Sequence, residues 1–239
     1  MAKRVVLLVH GFMVHDWHDM GKFKAYVDKN PLDDHTTFEL VYLYERENGK
    51  TSKTKAMINT LKNKVKEKQD EGYEVILLGY SFSCGIVSCV AKEMHLKANI
   101  YISPTLRLMK THLFWIHIKN AFKVLKLKIK KGRKKADKIM KKTRTKGIVR
   151  LSLHISISML RTKKYYKNDI PFLMMRGCED EYCFNLDAYK VAKLSSAKKT
   201  KTITLNENDK SHFFMLNEEG FLGKPIQEIF AYLKEIDHE

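Results

Sequence analysis

A serine with a small residue two positions away on each side follows one of the most apolar segments of the chain. The residues Gly79-Tyr80-Ser81-Phe82-Ser83 come directly after Val75-Ile76-Leu77-Leu78. A buried strand that turns at such a serine straight into a helix exposes the hydroxyl and directs the backbone N–H of the next residue toward the same space. We therefore predict that Ser81 is a nucleophile and that the Phe82 N–H stabilises an oxyanion. Ser83 stands where this pattern usually has glycine.

Three more groups suited to this chemistry appear at the ends of other predicted strands. His10-Gly11-Phe12 follows the apolar residues 5–9, Asp180 follows a strand near 171–176, and His212 follows a strand near 201–205. A serine hydroxyl is a weak nucleophile at neutral pH unless a base accepts its proton, and that base needs a fixed tautomer. The chain order Ser, Asp, His differs from the order in either well-known serine protease fold.

With these motifs in this order, the chain resembles the α/β-hydrolase superfamily from residue 4 to the end. The resemblance implies that Ser81 is the nucleophile, that His212 is its general base and later general acid, and that Asp180 orients the imidazole. It also implies that the N–H groups of Phe12 and Phe82 form the oxyanion hole. Asp180 is preferred to Glu179 because the family places its acid three residues after the glycine that closes this strand. Taken singly, these residues could equally be a turn serine, a helix cap and a loop histidine.

The fold class follows from the alternation of apolar strand-like and helix-like segments. This alternation predicts an α/β fold with a mostly parallel sheet and helices on both faces. We expect a reduced sheet of about six strands, near 4–9, 39–44, 74–79, 99–102, 171–176 and 201–205. Helices are expected near 20–29, 53–71, 83–95, 185–195 and 219–236. A chain of 239 residues can bury one substantial core, so we predict a single domain, 1–239, with a cap insertion at about 105–168.

The secondary structure of the cap is predicted less directly. Residues 106–127 interleave apolar residues with lysines and indicate a basic amphipathic helix, which Gly132 should end. Residues 147–161 alternate apolar and polar side chains, a period typical of a strand. The caps of similar hydrolases are mainly helical, so we favour a helix there against the period.

The excess of positive over negative charge lies in this insertion. The protein carries a net charge of +18, and residues 105–168 hold 21 Lys or Arg against one acid, Asp137. One interpretation is a solvated lysine-rich face whose apolar side packs over the pocket. A second is an interfacial helix on anionic lipid, and a third is attraction of a small anionic substrate. No recognised reader motif accompanies the charge, so we do not expect a nucleic acid partner.

Other features bear on the pocket, on metals and on the compartment. Met13, Trp17 and Phe213 are predicted to line an apolar substrate pocket beside the triad. The cluster His15-Asp16-Trp17-His18-Asp19 contains possible metal ligands, but no distant partner has a recognisable spacing, so we expect neither a metal nor a cofactor. The four cysteines form two C-x4-C pairs without matching histidines, which favours free thiols and a cytoplasmic location, with or without peripheral membrane association. No apolar stretch approaches the ~20 residues that a membrane span needs.

Together these observations predict a serine hydrolase that cleaves carboxylic esters with apolar acyl groups through an acyl-enzyme. One alternative is a lysophospholipase or monoacylglycerol lipase acting at an anionic membrane surface. Another is a non-catalytic binding module on a hydrolase scaffold. Thioester and amide cleavage would use the same machinery, and fold alone does not choose a substrate. The oligomeric state stays open.

Overall fold

The structure is a computed structural model. It describes residues 2–11, 20–44, 53–106, 119, 122, 123, 125–132, 134–136, 148–180, 185–205 and 224–236.

Six parallel strands form one sheet. They are β1 (Arg4–Val9), β2 (Thr36–Val41), β3 (Glu74–Tyr80), β4 (Asn99–Ile102), β5 (Phe172–Gly177) and β6 (Thr200–Leu205), in the spatial order β2-β1-β3-β4-β5-β6. The strand predictions are confirmed within one residue at each end except for β2, which lies three residues earlier than expected. The apolar residues 42–44 that suggested the later position leave the sheet, and Tyr42 and Tyr44 pack around the ring of His10 instead.

Helices cover both faces of this sheet. The helices with defined bounds are α1 (Gly21–Lys29), α2 (Thr54–Asp70), α3 (Ser83–Met94), α4 (Ile148–Thr162), α5 (Asn185–Leu194) and α6 (Lys224–Glu235). Of these, α4 belongs to the insertion. A short 3-10 turn, Lys163–Tyr166, follows α4. Helices α2, α3, α4 and α5 contribute to the apolar core on one face, and α1 and α6 contribute to the core on the other.

The central strands β1, β3 and β4 are mainly apolar after their first residues because both of their faces are buried. In β1, Val5, Leu7 and Val9 belong to one core, while Val6 and Leu8 belong to the other. Side chains of a strand alternate between faces, so a strand covered on both sides reads as a continuous apolar run. Because all six strands are parallel, their carboxyl ends lie along one edge of the sheet, where ligands of open α/β sheets bind.

The described part of the insertion between β4 and β5 is helical, as the resemblance implied. Residues 119, 122, 123, 125–131 and 134–136 are helical, and Gly132 breaks this segment with φ of +73°. The strand-like period of 147–161 is misleading, since residues 148–161 lie in α4. Its buried residues Ile155, Ser158, Met159 and Thr162 recur at helical spacing. Packing of α4 against α2 and α3 decides the conformation over the local period.

Candidate active site

Ser81 occupies the sharp turn between β3 and α3. Its φ is +58°, a conformation that residues other than glycine rarely adopt. The Ser81 N–H donates a hydrogen bond of 2.8 Å to the carbonyl of Ile102, which extends the pairing of β3 with β4 past the end of β3. Only surrounding structure that over-determines the backbone keeps such a strained residue in place, and strain of this kind concentrates at functional sites. The Ser81 hydroxyl is 3.4 Å from that of Thr105, which follows β4.

The turn requires the absence of a side chain at residue 79. A Cβ on Gly79 would lie 2.9 Å from the Cα of Cys84 and 3.0 Å from a methyl group of Val87. The obstacle includes backbone, because α3 passes close to the strand that it leaves. Gly79 therefore permits the close approach that puts Ser81 at the edge of the sheet.

Ser83, which departs from the usual glycine, has a structural explanation. Its hydroxyl accepts a hydrogen bond of 2.9 Å from the Tyr80 N–H. The same hydroxyl lies 2.9 Å from the Tyr80 carbonyl and 3.1 Å from the Val9 carbonyl, and it can donate to either one. The side chain is fully buried, and these partners satisfy it. It thereby links the carboxyl ends of β1 and β3 at the point where both approach the site.

Phe82 begins the helix that follows the serine. It is the N-cap residue of α3, with φ of −61° and ψ of −30°. The first N–H groups of a helix lack intrahelical partners, and the helix dipole makes this end favourable for negative charge. The phenyl ring is buried and lies 6.2 Å from the ring of Tyr44 and 6.3 Å from that of His10.

His10 anchors the segment that follows β1. Its Nε2 lies 3.0 Å from the Leu43 nitrogen, and its Nδ1 lies 2.7 Å from the Gly11 carbonyl oxygen. The backbone N–H can only donate and the carbonyl can only accept. The imidazole must therefore be neutral with its proton on Nδ1. Since Val9 pairs with Gly79 across β1 and β3, this anchored segment lies beside the turn that carries Ser81.

Asp180 lies three residues past the end of β5, on the same edge of the sheet. It is only 3% exposed, whereas the neighbouring Glu179 is exposed. A buried carboxylate is costly unless it has polar or charged partners, so the two adjacent acids lie in different environments. The backbone before Asp180 is fixed by a hydrogen bond of 2.9 Å from the Cys178 N–H to the Leu205 carbonyl.

Several solved hydrolases have a similar fold. A soluble variant of monoglyceride lipase from Saccharomyces cerevisiae, in complex with a substrate analog, matches with a TM-score of 0.68 and 15% sequence identity, over 98% of this chain and 87% of that one. The esterase EaEST from Exiguobacterium antarcticum matches with a TM-score of 0.63 and 14% identity, over 97% and 93%. The RedJ thioesterase of the prodiginine pathway in Streptomyces coelicolor matches with a TM-score of 0.60 and 12% identity, over 98% and 90%. At the level of sequence, no family model and no curated protein matches.

The chain has the α/β-hydrolase fold. Within this fold the structure places Ser81 after β3, the segment from His10 after β1, and Asp180 after β5, all on one edge of the sheet. The other predicted site residues lie outside the described part of the chain. They are His212, the oxyanion donor Phe12, the pocket residues Met13, Trp17 and Phe213, and the cluster 15–19. Their roles stay predictions.

Two polar residues of this α/β-hydrolase fold were not singled out from the sequence. Thr105 is buried beside Ser81. Asp187, in the first turn of α5, is fully buried, and its carboxylate accepts a hydrogen bond of 3.2 Å from the Leu106 N–H. Asp187 therefore holds the backbone next to Thr105, where the chain leaves β4 for the insertion. The only sequence signal for either residue is its position just after a strand or at a helix start.

The thiols nearest to Ser81 along the chain are not competing nucleophiles. Cys84 and Cys89 are both fully buried in α3. Burial raises the pKa of Cys84 far above its usual range and raises the pKa of Cys89 to about 12. Both stay protonated at neutral pH, and a thiol is a poor nucleophile in that form. Within the described ranges no group of His, Cys, Asp and Glu is arranged to hold a metal ion.

Proposed function

We propose that the protein is a serine hydrolase that cleaves carboxylic esters with apolar acyl groups. The Ser81 oxygen attacks the ester carbonyl while His212 accepts the serine proton. The N–H groups of Phe12 and Phe82 stabilise the oxyanion of the tetrahedral intermediate. As the ester C–O bond breaks, His212 protonates the leaving alcohol, and water then hydrolyses the acyl-enzyme by the same route. Asp180 holds the imidazole in the required tautomer.

The backbone of Ser81 is the observation that carries this proposal. A serine with φ of +58° at a strand-to-helix junction exposes its hydroxyl above the start of a helix. A structural turn would not need this strain, which glycine would avoid. The fully buried Ser83 and the missing side chain of Gly79 both support the same turn.

The anchoring of His10 supports the oxyanion role of Phe12. The Gly11 carbonyl and the Phe12 N–H belong to one planar peptide unit. A hydrogen bond that fixes the direction of the carbonyl therefore also limits the direction of the N–H. His10 supplies that bond through Nδ1.

Aromatic side chains surround the carboxyl ends of β1 and β3, and an apolar acyl group would suit these surroundings. Tyr44 and Phe82 are buried against His10, and Tyr42 packs there while staying partly exposed. The solved neighbours include esterases, a monoglyceride lipase and a thioesterase, which supports acyl transfer in general. The similarity to the monoglyceride lipase favours a lipid ester as the second candidate substrate.

The first test is replacement of the proposed nucleophile. Ser81→Ala should lower the turnover of a p-nitrophenyl ester by at least about a thousandfold, because the hydroxyl that forms the acyl-enzyme is removed. A fluorophosphonate probe should label the wild type at Ser81, as identified by peptide mass spectrometry, and should not label the variant. Turnover by Ser81→Ala close to that of the wild type would refute the proposal. Absence of labelling across several pH values would favour a non-catalytic binding module.

The adjacent acids offer a matched control for the triad. Asp180→Asn should lower kcat on the order of a thousandfold, since the imidazole would lose its preferred tautomer. Glu179→Gln changes the same charge one residue away on an exposed side chain and should leave kcat within about twofold. Equal losses in both variants would remove Asp180 from the mechanism.

A further inference from the structure

An apolar stripe on the surface of the insertion is left uncovered. Phe122, Leu125 and Ile129 are 66%, 52% and 78% exposed, and they account for half of the large exposed apolar side chains in the described chain. At about 100° per residue these three positions fall within about 60° of one another around a helix. They form one continuous face, whereas scattered exposed apolar residues would need no explanation.

Lysines border this stripe, and acidic residues are absent from it. Residues 119–131 contain six lysines and no Asp or Glu. The same spacing of about 100° per residue puts Lys119, Lys126 and Lys130 along one flank of the apolar face. All three are exposed. An apolar face with cations beside it is the arrangement of helices that lie in the interface of a lipid bilayer, where lysine stems reach toward the headgroups.

The exposure of the stripe argues against the simplest structural role of this helix. A helix that only covers a pocket would bury its apolar side and turn its lysines to water. Here Phe122, Leu125 and Ile129 are themselves at the surface, while Leu127 is half-buried. The amphipathic helix α4 gives the contrast, because its Ile155 and Met159 are buried in the core.

The charge decides which partner fits the stripe. A second copy of the same face would bring lysines against lysines, at a cost from like-charge repulsion. A nucleic acid would satisfy the lysines, but its phosphate backbone offers nothing to three adjacent aliphatic and aromatic side chains. An anionic bilayer satisfies both, since its headgroups attract the lysines and its acyl boundary accepts the apolar side chains.

We propose that the basic helix, defined as the helical residues between 119 and 131, docks the protein on the surface of an anionic lipid bilayer. Phe122, Leu125 and Ile129 insert into the interface, and Lys119, Lys126 and Lys130 contact the headgroups. This surface lies in the insertion between β4 and β5, which leaves the sheet at the carboxyl end of β4. The consequence for substrate, that esters are drawn from a lipid phase, rests on the proposed hydrolase function. Docking itself does not depend on it.

Docking is tested with the full-length Ser81→Ala protein, so that binding is measured without hydrolysis. Co-sedimentation compares vesicles of phosphatidylcholine alone with vesicles that also contain phosphatidylglycerol. We expect binding only to the anionic vesicles at low salt. The variant Phe122→Ala/Leu125→Ala/Ile129→Ala should lower the partition coefficient by about tenfold or more, because the buried apolar area is lost. The variant Lys119→Gln/Lys126→Gln/Lys130→Gln should lower it on the order of a hundredfold at low salt and less at high salt.

Matched controls use equally exposed residues elsewhere. Tyr189→Ala removes an aromatic ring that is 64% exposed, and Lys29→Gln/Lys193→Gln/Lys198→Gln removes three exposed lysines outside the insertion. Both should bind as the parent does. The proposal is overturned if the parent does not bind anionic vesicles, if the controls lose as much binding as the helix variants, or if the stripe instead drives concentration-dependent dimerisation in solution.

Hydrolysis of a soluble p-nitrophenyl ester separates this inference from the proposed function. For this assay the apolar and the lysine substitutions of the basic helix are made in a protein that keeps Ser81. Both variants should retain wild-type turnover of the soluble ester, and this turnover also shows that they fold. Loss of vesicle binding with retained turnover supports docking through the stripe. Vesicle binding by a protein that has no Ser81-dependent turnover would sustain docking and refute the hydrolase.

Discussion

His10 is constrained by two backbone groups that accept only one tautomer of its ring. The Leu43 N–H donates to Nε2, so the proton must lie on Nδ1, where it is donated to the Gly11 carbonyl. Protonation of the ring would set a second N–H against the Leu43 N–H and break this bond. The ring therefore acts as a neutral clamp between the end of β1 and the segment after β2, and it does not serve as a proton carrier.

Removal of this clamp should slow the reaction without weakening substrate binding. His10→Ala frees the Gly11 carbonyl and with it the Phe12 N–H of the same peptide, so an oxyanion donor becomes misaligned. The expected result is a fall in kcat of about tenfold to a thousandfold with KM nearly unchanged. Steady-state kinetics on a p-nitrophenyl ester measure this, with His35→Ala, at an exposed position, as the control. A change confined to KM would contradict the positioning role.

At the scale of single residues, the sequence predicted backbone features that depend on near neighbours. The strained turn at Ser81 could be predicted because small residues stand two positions before and after it, and the resemblance placed Asp180 just after β5. The chemical roles of both residues stay predictions. The contact of Leu43 with His10 spans 33 residues, and that of Leu106 with Asp187 spans 81. Such partners carry no local signal, since any backbone N–H can donate and only the folded chain brings it near.

Gly79, at the end of β3, and Gly85, in α3, lack room for a side chain for different reasons. A Cβ at Gly79 would approach the Cα of Cys84, which belongs to the backbone of α3. A Cβ at Gly85 would collide with the Thr162 hydroxyl and lie 2.9 Å from the Thr162 Cβ, at the last residue of α4. The first contact sets the distance between a strand and its own helix. The second sets the distance between α3 and the helix that ends the insertion.

These contacts predict different responses to the same substitution. Gly85→Ala should destabilise the protein by about 1–3 kcal/mol, because overpacking exceeds the gain in helix propensity of about 1 kcal/mol. Gly79→Ala should destabilise it comparably and should also reduce esterase turnover, because the backbone of the Ser81 turn must move. Urea unfolding and p-nitrophenyl ester kinetics measure the two effects.

A second substitution distinguishes side-chain from backbone crowding. Thr162→Gly removes both atoms that a Cβ on Gly85 would meet, so it should restore part of the stability lost in Gly85→Ala. The same change should not rescue Gly79→Ala. Equal rescue of both variants would mean that α4 does not set the position of α3.

Helices and strands were predictable where both faces are buried, because several successive apolar residues then give the same signal. After their first residues, Arg4 and Glu74, strands β1 and β3 carry no charged side chain because both of their faces are covered, so their ends were predicted within a residue. The sequence was ambiguous where a segment has one buried face. In α4 an accidental alternation of Ser and Ile mimics a strand, and only the packing of Ile155, Ser158 and Met159 at helical spacing resolves it. Residues 42–44 misled for a related reason, since their apolar side chains are needed around His10 and not in the sheet.

Across the whole molecule, the excess positive charge is confined to the insertion. The insertion carries the excess of positive charge, and the remainder of the chain is close to neutral. The sequence alone identified this separation, because charge is additive along a chain. It could not decide whether the apolar residues between the lysines face inward or outward, which depends on packing at a distance. No helix of the described residues is long and apolar enough to cross a membrane.

The apolar cores also enclose tyrosine side chains, and the protonation of one of them links the stability of the protein to pH. Tyr232, on α6, is 4% exposed, and in the described part of the chain its hydroxyl has no hydrogen-bond partner. Burial raises the pKa of Tyr232 above its usual value of 10, and the nearby Tyr101 and Glu235 raise it further. A buried hydroxyl without a partner costs stability that a phenylalanine of the same shape would not.

Tyr232→Phe should therefore stabilise the protein, and by more at alkaline pH. Near neutral pH the expected gain in unfolding free energy is about 1 kcal/mol, from the hydroxyl that is no longer desolvated. Above pH ~10 the unfolded chain loses the Tyr232 proton while the folded protein keeps it, so the wild type loses stability with rising pH and the variant lacks this loss. Urea unfolding between neutral pH and pH ~11 should show a gap that widens with pH. Tyr189→Phe removes a hydroxyl from an exposed ring and should leave the stability near neutral pH unchanged. A gap that narrowed with rising pH for Tyr232→Phe would contradict the burial of a protonated phenol in the core.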